Sequence, residues 1–159
     1  MKILITGTKG FIGKNLSLHL NFCGHKIIEY EYQKDKFPNI NYCDWVIHCG
    51  AISSTTETNV EKILKLNYEF TIKLFKLCVK KEVNFQYASS ASVYGPGKNF
   101  KESSKKFPKS PYAWSKYLID RFIFEKNWNK KKYNIQIQGF RYFNVYGPHE
   151  EHKKDQASP

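Results

Sequence analysis

The first residues with the types and spacing to do chemistry are Tyr112 and Lys116, which form Y-x-x-x-K at the start of a helical pattern. Residues four apart share one helical face. An ammonium beside a phenol favours the phenolate and lowers a tyrosine pKa from its usual value of about 10. Such a tyrosine can exchange a proton with a substrate hydroxyl near neutral pH. The pattern alone recurs by chance in many helices, so its weight depends on what accompanies it. Upstream, Tyr87-Ala88-Ser89-Ser90-Ala91-Ser92-Val93-Tyr94-Gly95 closes an apolar strand pattern with serines.

A second constellation sits at the N-terminus. Thr6-Gly7-Thr8-Lys9-Gly10-Phe11-Ile12-Gly13 spells G-x-x-G-x-x-G between a short apolar run and a helical pattern. Gly7 permits the tight turn, Gly10 lets the backbone approach a pyrophosphate, and Gly13 lets the helix pack closely on the sheet. The phosphates would face the N–H groups that open the helix. Glu31 follows Gly13 by 18 residues, at the end of the second strand pattern. A carboxylate there accepts hydrogen bonds from ribose hydroxyls and repels a 2′-phosphate, which favours NAD over NADP. Lys34 and Lys36 follow closely and can reverse that preference.

The elements that must position these groups alternate. Ile3–Ile5 reads as a buried strand, Phe11 to Phe22 as a helix closed by Gly24, and Lys26 to Tyr30 as a strand. Asp44 to Cys49 is a third apolar run. Thr58 to Glu82 reads as a long helix with Ile63, Leu66, Phe70, Leu74, Leu77 and Cys78 on one face. Phe85 to Ala88 is a strand and Gly95 to Pro111 a loop. Tyr112 to Asn129 is a helix, and Ile135 to Tyr142 a last strand. This order predicts an α/β fold, a doubly wound parallel sheet of Rossmann-like type. Binding sites in such sheets lie at the carboxyl ends of the strands, where Gly7, Glu31, Ser90 and Asn144 fall.

The 159 residues suffice for one domain, and 41% hydrophobic with 25% charged residues reads as soluble and globular. No apolar run approaches the roughly 20 residues that cross a bilayer, and the N-terminus lacks the apolar core of a signal peptide. A cytoplasmic location is expected. The net charge is +12, yet Arg121 and Arg141 are the only arginines among 26 basic side chains. Nucleic-acid readers favour the arginine fork, so the lysine excess reads as solvated surface rather than a nucleic-acid face. Cys23, Cys43, Cys49 and Cys78 form no C-x-x-C pair, so no metal site is expected. His48, beside Cys49, reads as a strand residue near the cofactor.

The loop T-G-x-x-G-F-I-G, the serine segment and Y-x-x-x-K occur in the order found in the extended short-chain dehydrogenase/reductase family, the NAD-dependent epimerases and dehydratases, which this chain resembles. The resemblance implies a catalytic role for Ser90, Tyr112 and Lys116, with Ser90 bonding the reacting oxygen. It places Gly7, Gly10, Phe11, Ile12, Gly13, Glu31, Gly50, Ala51, Asn67, Tyr112, Lys116 and Val145 at an NAD or NADP cofactor, and Ser90 and Asn144 at substrate. Ile52-Ser53-Ser54-Thr55-Thr56-Glu57, Arg141 to Pro148, and His152-Lys153 with Ala157-Ser158 narrow it to the branch inverting the 6-carbon of an ADP-linked heptose. There Lys153 is implied as the second acid/base group.

The chain departs from that pattern at Lys154-Asp155, where the family has glycine after the lysine. Only 12 residues separate Glu31 from Asp44, too few for the helix and strand that family members carry there and that touch adenine. A shortened segment is therefore expected. The chain stops at Pro159 without the domain that grips the sugar nucleotide. Residues 1–159 are thus expected to be the cofactor-binding domain of a longer protein, a homo-oligomer at full length, and inactive alone. A nucleotide-sugar 4-epimerase remains an alternative. So does a 4,6-dehydratase, although the acid/base pair such enzymes carry beside their catalytic threonine is absent here. A non-catalytic dinucleotide-binding module is the alternative of another class.

Overall fold

A computed structural model describes residues 1–34, 36–54, 57–97, 99–128 and 133–150, the side chains of 125–128 excepted. Five parallel strands form one sheet in the order β2-β1-β3-β4-β5. They are β1 (Lys2–Thr6), β2 (Lys26–Tyr30), β3 (Trp45–His48), β4 (Asn84–Ser90) and β5 (Ile137–Tyr142). The chain order reverses beside β1, between β2 and β3. In open α/β sheets this is the crevice where ligands bind. The described residues of 31–44 contain no strand of the sheet, only an isolated bridge between Gln33 and Lys36. The shortening expected after β2 is present, and β2 forms the edge.

Helices cover both faces, as a parallel sheet requires. Helix α1 (Phe11–Phe22) packs Leu16 and Leu20 on Ile3, Ile5 and Ile47. The opposite face carries the larger core. Leu4, Val46, Phe85 and Tyr87 from the strands meet Phe70, Leu74, Phe75 and Cys78 of α3 (Phe70–Lys81) and Ile119 of α4 (Pro111–Asp120). Alternation along β4 is strict: Phe85, Tyr87 and Ser89 are buried, while Gln86, Ala88 and Ser90 are partly open. No helix among the described residues is long and apolar enough to cross a membrane.

Two helices begin on caps that the sequence carries openly. Asn59 accepts from the Lys62 backbone N–H at 2.9 Å and starts α2 (Val60–Ile63). Ser110 accepts from that of Ala113 at 3.1 Å, with Pro111 in the first turn of α4. Such side-chain caps are worth about 1 kcal/mol each. Where one uniform helix is predicted over 58–82, the structure has α2, a π-helical stretch at Leu64–Glu69, then α3. A second π-helical stretch, Arg121–Trp128, prolongs α4. The wider π winding admits an extra residue per turn and shifts the inward face. Asn67, fully buried, lies in the first of these stretches.

Candidate active site

The loop between β1 and α1 is built on two close approaches. Gly7 has φ 73°, and a Cβ there would stand 2.6 Å from the backbone of Gly50. The turn after β1 therefore rests directly on the end of β3. A Cβ on Gly13 would come 2.1 Å from the Gly7 carbonyl oxygen, so α1 can start only if this residue is glycine. Gly10, at the N-cap of α1, has no side chain of its own to cap the helix, and its first turn contains no acidic residue. A helix start without a capping side chain or an acid suits an anion. The residues present thus fit the pyrophosphate of a dinucleotide.

Beside this loop, at the end of β2, Glu31 accepts from the Lys9 backbone N–H at 2.7 Å and from the Thr8 hydroxyl at 3.2 Å. It borders a cavity of about 200 Å³ that Thr6, Gly50, Ala51, Tyr32, Leu66 and Phe70 also line. The shortened connection supplies an aromatic wall. The rings of Tyr32 and Phe37 lie 5.5 and 5.2 Å from that of Phe70, and Tyr30 stacks on it at 6.1 Å. Gly50 and Ala51, which the resemblance places at the cofactor, line this cavity, whereas the aromatic wall is not foreseeable from the motif.

The structure brings Ser90, Tyr112 and Lys116 together where β4 meets α4. The Ser90 hydroxyl oxygen accepts from the backbone N–H of Ser92 at 3.2 Å and from its hydroxyl at 2.9 Å. It also hydrogen-bonds the Tyr112 side chain. Lys116 is 3% exposed, and its ammonium donates to the Ala88 carbonyl at 2.7 Å and lies 5.9 Å from the centre of the Tyr112 ring. The expected downward shift of the phenol is not found. Burial pushes Tyr112 up, and only the bond with Ser90 pulls the other way. The lysine spends its charge on a carbonyl and is itself drawn down to about 8 by burial, with Cys49 and Asp120 partly offsetting.

Asp120, four residues beyond Lys116, continues the stripe of Tyr112 and Lys116 and is buried. Its carboxylate accepts from the Tyr87 phenol and from Arg141 Nε, both at 2.8 Å. Arg141 also donates to the Tyr94 hydroxyl at 3.1 Å and to the Glu102 carbonyl at 3.3 Å. One carboxylate thereby ties α4 to β4 and β5, and Arg141 extends the link to Tyr94 and Glu102. Gly139 makes room for this: a Cβ there would be 2.6 Å from the Tyr87 hydroxyl. None of Asp120, Arg141 and Tyr87 stands among the site residues that the sequence implies. The i, i+4, i+8 spacing of Tyr112, Lys116 and Asp120 is the signal that could have found the first of them.

Asn67 is buried behind the loop that follows β3. It accepts from the Ile52 N–H at 2.8 Å and donates to the Ile52 carbonyl at 3.0 Å. Asn144 is exposed in the segment after β5, with Val145 beside it partly buried. That segment turns back towards α1, where the Pro148 carbonyl accepts from Asn15 at 2.8 Å. Phe11 and Ile12 open α1 beneath the phosphate loop, Phe11 buried. Thr55, Thr56, His152, Lys153, Ala157 and Ser158 lie outside the described residues, Lys153 being the implied second acid/base group.

A phosphate-type glycine loop, a crevice at the strand reversal and a Ser-Tyr-Lys cluster on one parallel sheet define a dinucleotide-dependent short-chain dehydrogenase type of site. Residues 3–158 match the model of the NAD dependent epimerase/dehydratase family, and the chain belongs to that family. It is 39% identical, over 98% of its length, to the ADP-L-glycero-D-manno-heptose-6-epimerase of Brachyspira hyodysenteriae, and the match spans 58% of that protein. The crystal structure of the Helicobacter pylori ADP-L-glycero-D-manno-heptose-6-epimerase superposes with a TM-score of 0.82 at 30% identity, covering 99% of this chain and 59% of that one. MoeE5 in complex with UDP-glucose and NAD gives 0.81 at 25% identity, covering 93% of this chain and 56% of that one. The chain thus spans somewhat over half the length of the relatives it matches.

Proposed function

We propose that residues 1–159 are the cofactor-binding portion of an NAD(P)-dependent nucleotide-sugar epimerase of the ADP-glycero-manno-heptose 6-epimerase type. The observation that carries this reading is the meeting of Ser90, Tyr112 and Lys116 beside the crevice that the glycine loop opens. The likeness to two heptose epimerases supports the sugar class. The NAD in the MoeE5 complex supports the cofactor. In this reading the pyrophosphate lies against Gly7, Gly10 and the start of α1, and the adenosine end against Glu31 and the aromatic-walled cavity. Recognition of the sugar falls to the part of the protein that the relatives carry beyond this length.

When bound, the oxidised nicotinamide supplies a hydride acceptor and a positive charge, which favours ionisation of a neighbouring phenol. Tyr112 takes the proton of the substrate hydroxyl at its Oη as the carbon is oxidised, and Lys153 gives one to the carbonyl oxygen as it is reduced. Ser90 holds the reacting oxygen in line with that phenol. Lys116 stabilises the phenolate, and Lys153 serves the opposite face after the ketone has turned. The test is Tyr112→Phe in the full-length protein, with inversion at carbon 6 of the heptose nucleotide followed by NMR. General acid/base catalysis contributes about 10²–10⁴-fold, and a loss of that order is expected, with NAD affinity unchanged. Turnover near the wild-type rate would overturn the mechanism. The 159-residue chain itself should bind NAD without turning over the sugar nucleotide.

A further inference from the structure

Between the phosphate loop and α4, the buried polar side chains form one chain of hydrogen bonds whose directions are fixed. The Gly50 N–H donates to Thr6 Oγ1 at 3.1 Å. Thr6 Oγ1 lies 2.6 Å from His48 Nδ1, and His48 Nε2 lies 2.7 Å from Thr71 Oγ1. The hydroxyl proton of Thr71 goes to the Asn67 carbonyl. With that proton committed, Thr71 can only accept from His48. The imidazole must therefore carry its proton on Nε2, leave Nδ1 bare, and take the Thr6 proton there.

The chain continues on the other side. The Asn67 amide is oriented by Ile52, whose N–H needs the oxygen and whose carbonyl needs the nitrogen. Its remaining N–H donates to Ser115 Oγ at 3.1 Å, and Ser115 donates to the Tyr112 carbonyl at 2.7 Å. Thr6, His48, Asn67, Thr71 and Ser115 are each at most 2% exposed. Every donor in the chain has one acceptor, and a second proton on the imidazole would leave the Thr6 hydroxyl without one. Burial, aided by the charge on Lys116, holds His48 down at about 3.

We propose that His48, neutral and protonated on Nε2, is a positioning residue that sets the cofactor loop against the catalytic helix. Through Thr6 and Gly50 it fixes the ends of β1 and β3, where Gly7 and Gly50 touch. Through Thr71 and Asn67 it fixes the loop at Ile52, and through Ser115 the backbone of Tyr112. Both of its nitrogens are used within the protein, so it acts on the cofactor through these partners although its ring lines the cavity. The proposal rests on the reading above, in which the cofactor lies on Gly7–Gly13 and Tyr112 moves the proton.

The test uses the 159-residue chain with ¹⁵N-labelled histidine. Two-bond proton–nitrogen correlations should show His48 with Nε2 protonated and Nδ1 bare. NAD affinity is then measured by calorimetry at a temperature where circular dichroism shows every variant folded. Thr71→Val keeps the shape but removes the acceptor, and one lost hydrogen bond corresponds to about tenfold weaker NAD binding. His48→Leu should weaken it further. His48→Gln, whose amide can still donate to Thr71, should recover part of the loss. A merely structural histidine would lower the melting temperature and leave the affinity of the folded protein alone. An Nδ1-protonated or doubly protonated ring overturns the proposal, and so does wild-type NAD affinity in folded Thr71→Val. If His48→Leu does not fold, the tautomer and Thr71→Val decide. Absence of NAD binding by the wild-type chain would overturn the functional reading and the proposal with it, whereas wild-type binding that the variants share overturns the proposal alone.

Discussion

Lys116→Met should make the protein more stable while removing the proposed catalytic lysine. Lys116 is 3% exposed, and burial draws its pKa from 10.5 to about 8. One pKa unit is worth about 1.4 kcal/mol, so this charge weighs on the order of 3 kcal/mol against the folded state at pH 7. The sign follows from proton binding. Between pH about 8 and 10.5 the unfolded chain holds this proton and the folded one releases it, so stability rises with pH across that window. Below it, the penalty is present in full. Methionine fills a similar volume without the charge, and leaving the Ala88 carbonyl without this donor costs about 1 kcal/mol. The variant should thus gain about 2 kcal/mol at pH 7, and most of that gain should vanish by about pH 10. Burial raises the Cys49 and Cys78 thiols and Tyr112 in both proteins, so their alkaline losses largely cancel in the difference. Urea unfolding followed by circular dichroism at several pH values measures it. A variant less stable than wild type at pH 7, or a gap independent of pH, would refute the reasoning.

At Gly10 an added Cβ would meet only the Gly7 carbonyl oxygen, at 3.3 Å, whereas at Gly13 it would stand 2.1 Å from that atom. Gly10→Val should therefore fold and lose NAD binding in a calorimetric titration, while Gly13→Ala should lose about 3 kcal/mol or more in urea unfolding. Unaltered affinity in Gly10→Val would dismiss the loop assignment. Asp120→Asn offers one oxygen to the two donors of Tyr87 and Arg141 and strips a half-buried guanidinium of its counter-charge. A loss of about 3 kcal/mol is expected, with partial recovery in Asp120→Asn/Arg141→Met. NAD should bind more tightly than NADP, and Glu31→Gln should narrow the difference. Tighter NADP binding by the wild type would mean that Lys34 or Lys36 outweighs the carboxylate.

What could be read from the residues, and what could not, divides along a physical line. The strand Lys26–Tyr30, the helix Phe11–Phe22 and the parallel order follow from local hydrophobic period and turn residues, and the structure has them at those positions. The absence of a further strand after β2 follows from chain length alone. The winding of residues 60–81 does not, because the apolar spacing fits an unbroken α-helix with Leu66 inward, whereas the π-helical stretch turns Asn67 inward and leaves Leu66 partly open. What selects it is tertiary. The Asn67 side chain must face Ile52 and Ser115 at once, and Ser115 lies 48 residues away.

Electrostatics show the same division with a change of sign. The i, i+4 spacing correctly sets Lys116 on the side of Tyr112, and from that pair alone the phenol should fall. Whether an ammonium lowers its neighbour depends on the competing cost of taking both from water, and burial is a property of the whole fold. Here Lys116 is buried, Tyr112 is partly buried, and the ammonium turns to the Ala88 carbonyl. The phenol therefore rises and the lysine falls. The raised phenol pKa keeps Tyr112 in its neutral form, so proton transfer needs one further component, a positive charge beside the phenol. In the proposed reaction that component is the oxidised cofactor, and a Tyr112 pKa that drops when NAD binds, followed by phenol absorbance in a pH titration, is the expected signature. A Tyr112 pKa unmoved by saturating NAD would leave the phenol protonated throughout and rule it out as the base in the oxidation step.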